Sequence, residues 1–248
     1  MMDYIISSRD LIELRTTWRT NLSHIVILGA GASLAAFPCG DAHGRKLPLM
    51  TNATKVLGLE SLARESGHDP EQSFESLYST LHQLDPNSPL VRRIEQRVED
   101  YFSNMELPDA PGLYDSLLLS LRAKDAIFTF NWDPFLADTA ARYAGIVPLP
   151  KIFHLHGNVR VSYCANCGMS QLRNEACAMC GGKSDPTRLL YPVERKDYAS
   201  DGFISTQWKA FRRFIYNAAY VTIFGYSAPR TDQEAVHFFF AGMERKGA

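Results

Sequence analysis

The sequence predicts an α/β fold built on a parallel sheet, and three observations carry that expectation. Short apolar runs rich in β-branched and aromatic residues recur at 24–28, 126–130, 152–155 and 219–224. Continuous apolar runs of this length suit strands buried on both faces. Residues that break or redirect a strand follow each run: Gly29, Asn131, His156–Gly157 and Gly225. Between the first two runs lie long amphipathic stripes of helical spacing, and after the third come two Cys-x-x-Cys pairs.

Length and composition bound the chemistry. A chain of 248 residues can bury a full core, and 46% hydrophobic with 21% charged residues is ordinary for a globular protein. The net charge of −1, with no block of Lys or Arg, argues against a nucleic-acid partner. No apolar run approaches the ~20 residues needed to cross a bilayer, and the N-terminus lacks the pattern of a signal peptide. Four of the five cysteines fall in the two pairs and leave Cys39 single, which fits a reducing compartment. The expected location is the cytoplasm.

In chain order, Leu11, Leu14 and Trp18 predict an amphipathic lead-in helix over 10–20. The run His24–Leu28 then enters Gly29-Ala30-Gly31-Ala32-Ser33, a glycine turn opening a small-residue helix. Such a turn lets the backbone approach a phosphate and aims unpaired N–H groups at it. Tight strand-to-helix turns also take glycine for packing alone, and both readings stand. Leu34 occupies the place of the third glycine in a dehydrogenase fingerprint. No acidic residue ends a second strand about 20 residues on, which disfavours a plain nicotinamide dehydrogenase.

Residues 46–122 read as helical, with Phe74, Leu77, Tyr78, Leu81 and Leu84 in one stripe. Val91, Ile94, Val98, Tyr101 and Phe102 form the next, and Leu113–Arg122 a third helix; these stripes are read as core. The strand at 126–130 ends in Asn131-Trp132-Asp133, where Asn and Asp either cap the following helix or enter a site. His156 ends the next strand, at the edge where open α/β sheets place ligands. A hydrogen-bonded core histidine is the alternative. Cys164, Cys167, Cys177 and Cys180 have zinc spacing, two pairs separated by a nine-residue hairpin, and closed four-thiolate sites are structural. A helix carrying Trp208, Phe211 and Ile215 leads to the strand at 219–224, which ends in Gly225-Tyr226-Ser227. Residues 233–245 look helical.

Taken together these stretches resemble the sirtuin (SIR2) superfamily. The matching pieces are Gly-Ala-Gly-Ala-Ser at 29–33, Thr-Phe-Asn-Trp-Asp at 129–133 and Leu-His-Gly at 155–157. The paired cysteines and Phe-Gly-Tyr-Ser at 224–227 complete the order. The resemblance implies one domain over 1–248, a Rossmann-like sheet with a helical insert at 46–122 and a zinc ribbon at 158–186. It implies NAD+ as the substrate. Gly29, Ala30, Gly31 and Ser33 would hold its pyrophosphate, Asn131 and Asp133 the nicotinamide-side ribose pocket, and Gly225 and Ser227 the adenosine half. His156 would be the catalytic histidine.

Departures from the deacylase pattern select among the activities of the family. The run after the glycine turn, Ala36-Phe-Pro-Cys-Gly-Asp41, keeps only the proline of the usual element. The peptide-pairing segment reads Tyr191-Pro-Val-Glu194, and proline removes a backbone donor there. Lys196-Asp-Tyr198 and Gly-Tyr-Ser through Asp232 are similar to the bacterial branch that includes NAD hydrolases of phage defence. The expected activity is NAD+ glycohydrolase, with Asn131 and His156 catalytic. A protein-lysine deacylase or ADP-ribosyltransferase is the alternative, and a non-catalytic NAD or ADP-ribose sensor a second. The strand at 219–224 has no later apolar run to pair with, so two arrangements are expected. Either another element, such as a homo-oligomer or a partner subunit, covers that edge, or the domain is a truncated form with weakened adenosine binding.

Overall fold

The computed structural model describes residues 22–193, 196–229, 232 and 236–237. The expected lead-in helix at 10–20 lies outside the described residues, as does nearly all of the expected helix at 233–245. Four strands, β1 (Ser23–Leu28), β2 (Ala126–Thr129), β3 (Lys151–His154) and β7 (Ala218–Phe224), form one parallel sheet in the order β3-β2-β1-β7. Its register sets Leu28, Thr129, His154 and Phe224 in one row. The residues just beyond that row therefore share a single edge.

Side-chain alternation buries the central strands β1 and β2 on both faces. In β7, at the sheet edge, Ala218 is buried but Tyr220, Ile223 and Phe224 are exposed, so the expectation of a strand buried on both faces fails there. Val26 and Leu28 join Ile127 in one core, while Ile25 and Ile27 join Ala126 and Phe128 in the other. The first core is filled by helices α4 (Phe74–Leu84), α5 (Pro89–Ser103) and α6 (Leu113–Ser120), whose apolar stripes carry Phe74, Leu77, Val91, Ile94, Val98 and Leu118. The second is filled by α8 (Gly202–Asn217) through Phe203, Ile204, Trp208, Phe211 and Ile215. Three shorter helices, α1 (Ala30–Ala36), α2 (Ala53–Val56) and α3 (Glu60–Glu65), and the nine-residue α7 (Phe135–Tyr143) complete the α layer.

Helix starts follow local chemistry. The Ser73 and Ser88 hydroxyls accept from the Ser76 and Val91 amides, and Pro89 opens α5 without losing an intrahelical bond. Residues 46–52 depart from the helical expectation and run as loop and turn. The Asn52 side chain accepts from the Leu49 amide there, an alternative to helical bonding. The cysteine-bearing segment forms a small antiparallel sheet of β4 (Val161–Cys164), β5 (Met169–Leu172) and β6 (Asp185–Pro186), in the order β5-β4-β6. Arg173 ties it to α5 through Glu99, 3.0 Å away. No helix among the described residues is long and apolar enough to cross a membrane.

Candidate functional site

The strand order fixes where a site can form. From β1 the chain builds outward through β2 and β3, then returns to the other side of β1 as β7. That reversal opens a crevice beyond the carboxyl ends of β1 and β7, the position at which open α/β sheets bind ligands. A cavity of about 590 Å³ lies there. Gly29, Ala30, Gly31, Ser33, Asn131, Asp133, His156, Gly225 and Ser227 all line it, so the fold brings every non-cysteine site residue expected from sequence to one cavity.

The glycines are explained by backbone approach. The Gly29 amide donates to Phe224 carbonyl oxygen at 3.1 Å, and the Gly31 amide to Gly225 carbonyl oxygen at 3.0 Å. A Cβ on Gly29 would lie 2.5 Å from the Gly225 oxygen. The packing reading of the glycine turn is thus realised, and with the Ala32 amide donating to the Gly29 carbonyl at 2.9 Å three of its N–H groups are engaged within the protein.

Ser33 is a hub rather than an open hydroxyl. Its Oγ donates to Asp133 Oδ2 at 2.7 Å, accepts from Asn131 Nδ2 at 2.8 Å, and lies 2.7 Å from the Tyr114 hydroxyl. Asn131 Nδ2 also donates to the Gly29 carbonyl at 2.9 Å. A carbonyl only accepts, so the amide orientation of Asn131 is forced and both of its N–H groups are used. The oxygen Oδ1 remains as the group Asn131 offers a ligand. Burial raises the Asp133 carboxyl to about 6, partly offset by the Ser33 hydroxyl and the Phe135 amide. Asp133 Oδ1 also accepts from that amide at 3.3 Å, so the capping and site readings hold together.

The loop bearing these residues is pinned from the third strand. The Asn158 side chain donates to Asp133 carbonyl oxygen at 2.7 Å, and the Val159 amide to Trp132 carbonyl oxygen at 3.2 Å. Asn158 is buried, and its own amide is held by Thr187.

His156 sits in the turn after β3, edge-on to Phe130 with ring centroids 4.8 Å apart. Its Nε2 is buried and has no hydrogen-bond partner among the described residues; Asp232 Oδ1 lies 3.6 Å away. Burial lowers the imidazole to about 3, so it is neutral near pH 7. Asp232 Oδ1 is bonded to Lys196 Nζ, and Asp232 Oδ2 accepts from the Tyr226 hydroxyl at 3.1 Å. Sequence reading gave Lys196, Tyr226, Asp232, Asn158 and Tyr114 no role in the site. Tyr226 and Asp232 share the segment after β7 and Asn158 follows His156 by two residues, but Lys196 and Tyr114 come from elsewhere in the chain, and no periodic spacing joins the set.

The same cavity is also lined by the apolar residues Leu47, Met50, Leu57, Phe74, Phe102 and Trp132. The stripe residues Phe74 and Phe102, read as core, serve the core and the cavity at once.

The cysteines form a separate centre. Ligand atoms of Cys164, Cys167, Cys177 and Cys180 lie within 4.8 Å of one another, and Cys164 and Cys180 sulfurs are 3.8 Å apart. A tetrahedral zinc with sulfurs at about 2.3 Å sets them about 3.8 Å apart. Both pairs are tight knuckles, closed by the amides of Gly168 and Gly181 onto Cys164 and Cys177 carbonyl oxygens. The N–H groups of Cys180 and Met179 pull the Cys177 thiol down to about 7, which favours the ligating thiolate. The residues fit a closed structural zinc, and none of the four lines the cavity.

No protein-family model and no curated protein matches this sequence. Solved structures do match. One is a Sir2 homologue in complex with NAD, 16% identical over 92% of this chain and 77% of that chain, with a TM-score of 0.44. A second is a Sir2 homologue variant with 2′-O-acetyl-ADP-ribose, 18% identical over 91% and 78%, with a TM-score of 0.47. A third is a Sir2 homologue variant with ADP-ribose, 14% identical over 93% and 80%, with a TM-score of 0.40.

Proposed function

We propose that the cavity hydrolyses the nicotinamide–ribose bond of NAD+. The observation that carries this reading is the gathering of Asn131, Asp133, His156 and the glycine turn around one cavity at the sheet's reversal point. Its volume of about 590 Å³ is in the range of cofactor-sized pockets, about 300–1,000 Å³. As the bond breaks, its electron pair goes to the pyridine nitrogen, which becomes neutral, and positive charge develops on the ribose. An ionised Asp133 and the Asn131 oxygen are suited to stabilise that charge. Water adds to the ribose carbon, and His156 takes the water's proton and passes it to solvent. The products are nicotinamide, ADP-ribose and one proton.

The turn at Tyr191–Val193 supports hydrolysis over deacylation of a peptide. The Val193 amide folds back onto Tyr191 carbonyl oxygen at 2.9 Å with Pro192 between them, a conformation unlike the extended edge that peptide addition requires. Nicotinamide release from NAD+ by purified protein, with and without an acylated peptide, tests the reading. Release independent of peptide is expected. His156→Ala and Asn131→Ala should each lower it by about 10²-fold or more, with an unchanged circular dichroism spectrum. Near-normal turnover in either variant overturns the assignment.

A further inference from the structure

Lys196 is the single Lys or Arg among the described residues that line the cavity, and it is buried. Its ammonium is bonded to Asp232 Oδ1, the same oxygen that lies 3.6 Å from His156 Nε2. The other carboxylate oxygen takes the Tyr226 hydroxyl. One buried oxygen therefore faces two nitrogen claimants, one already cationic and one that becomes cationic on taking a proton. A buried ion pair gains little for folding over apolar residues of the same size, so stability alone does not account for it.

The consequences follow from charge. An imidazolium at His156 needs a carboxylate, and Asp232 is the one beside its Nε2. While Lys196 holds that carboxylate, the ammonium cancels the stabilisation and repels the imidazolium at short range. The imidazole is accordingly depressed first by burial, with Asp232 acting upward and Lys196 downward. A ligand bearing a diphosphate brings two negative charges to a cavity in which Lys196 is the one cation among the described lining residues.

We propose that Lys196 is a substrate-operated latch: a bound diphosphate draws its ammonium off Asp232, and the freed carboxylate then supports proton uptake by His156. The inference rests on the NAD+ hydrolase reading for its catalytic consequence. Asp232 and Lys196 are positioning residues, since both act through His156. A ligand with the same ribose and nicotinamide but no phosphate leaves the latch closed.

Nicotinamide riboside supplies that comparison. The wild-type protein should cleave it about 10²-fold or more slowly than NAD+ at saturation, a loss on the scale of positioned acid–base help. Lys196→Met should raise the riboside's kcat by about tenfold, because Asp232 is freed without a phosphate, and should raise KM for NAD+ by a similar factor. A folded Lys196→Met protein that cleaves the riboside no faster than wild type overturns the latch. Leaving the buried Asp232 carboxylate with the Tyr226 hydroxyl but no cation can compromise that variant's folding, so the charge-neutral double variant Lys196→Met/Asp232→Asn is the second arm. It should cleave both substrates at one similar slow rate, and persistence of the wild-type preference for NAD+ overturns the proposal.

If the wild-type protein releases no nicotinamide, the hydrolase reading fails while the latch is still tested by imidazole NMR. Among the described residues, the titratable groups facing His156 are Asp232, Lys196 and Tyr198, whose ring lies 6.4 Å away. ADP-ribose should raise the His156 titration by about one unit or more in the wild type and leave it unmoved in the double variant. An unmoved wild-type titration in the presence of bound ADP-ribose overturns the latch.

Discussion

At the scale of single residues, Gly225 shows how closely the site is built. Its φ is +64°, in the left-handed region, and an added Cβ would stand 1.9 Å from the Ala32 amide nitrogen. Both obstacles are backbone, so no side chain can rotate away. Gly225→Ala should therefore cost more than about 2 kcal/mol of stability and also open the contact between β7 and the glycine turn. A urea midpoint within error of wild type would contradict this account. The motif Gly-Ala-Gly-Ala-Ser was legible as a turn of special geometry, and the structure changes the part its side chain plays. Ser33 spends its hydroxyl on Asp133, Asn131 and Tyr114, so its contribution to a ligand is the orientation of its neighbours.

At the scale of elements, the cysteine ribbon was the easiest unit to read, because metal knuckles are local. Spacing within each Cys-x-x-Cys pair decides the turn, and the pairs then need only one hairpin to meet. The purified protein should contain one zinc per chain, and Cys177→Ser should lose it, with amide exchange accelerating across β4 and β5 as the metal's folding energy is withdrawn. Full zinc content in that variant would rule out the four-sulfur site. Helices α4 and α5 were equally legible in existence and type, since their stripes are long and their caps are local serines. Loop 46–52 was not: its apolar residues imitate a helical run, but Pro48 and the Asn52 turn hold it open along the cavity.

At the scale of the whole molecule, burial of neutral imidazoles links stability to pH. His154 and His156 are lowered by burial to about 4 and about 3, below the ordinary value of 6.5. As pH falls below 6.5 the unfolded chain takes up two protons that the folded chain refuses, so stability falls. Asp133, raised by burial to about 6, acts the other way, because its folded form binds a proton that the unfolded chain binds only near 3.8. His24, lowered mainly by burial, and Asp138, raised mainly by burial, oppose one another. For His154, His156 and Asp133 together the balance favours the unfolded chain by roughly one proton between about pH 6 and 4.5, about 1.4 kcal/mol per pH unit. The lowered carboxyls of Asp41, Asp115 and Asp125 act in the same direction as pH nears about 4. The urea midpoint should drop from pH 6.5 to pH 4.5, and a flat profile would show that the imidazoles are not held neutral by the fold.

The sequence by itself determined what is local or periodic in this protein. The strand runs, the amphipathic stripes, the cysteine knuckles and the residues at each strand end all depend on neighbours within a few positions. It also pointed to the site, since a parallel sheet sends the ends of its strands to one edge and Gly29, Asn131, His156 and Gly225 each follow a strand. The strand order β3-β2-β1-β7 belongs to the tertiary structure, and so does the crevice that the reversal opens. Lys196 meeting Asp232, Tyr114 meeting Ser33, and Asn158 gripping the loop at 131–133 are likewise tertiary. Each joins residues 25 or more positions apart through a hydrogen bond or ion pair, and such contacts leave no periodicity behind. A buried charge looks the same in sequence as a solvated one, so only the packing around Lys196 and Asp232 decided that these two would face His156 rather than water.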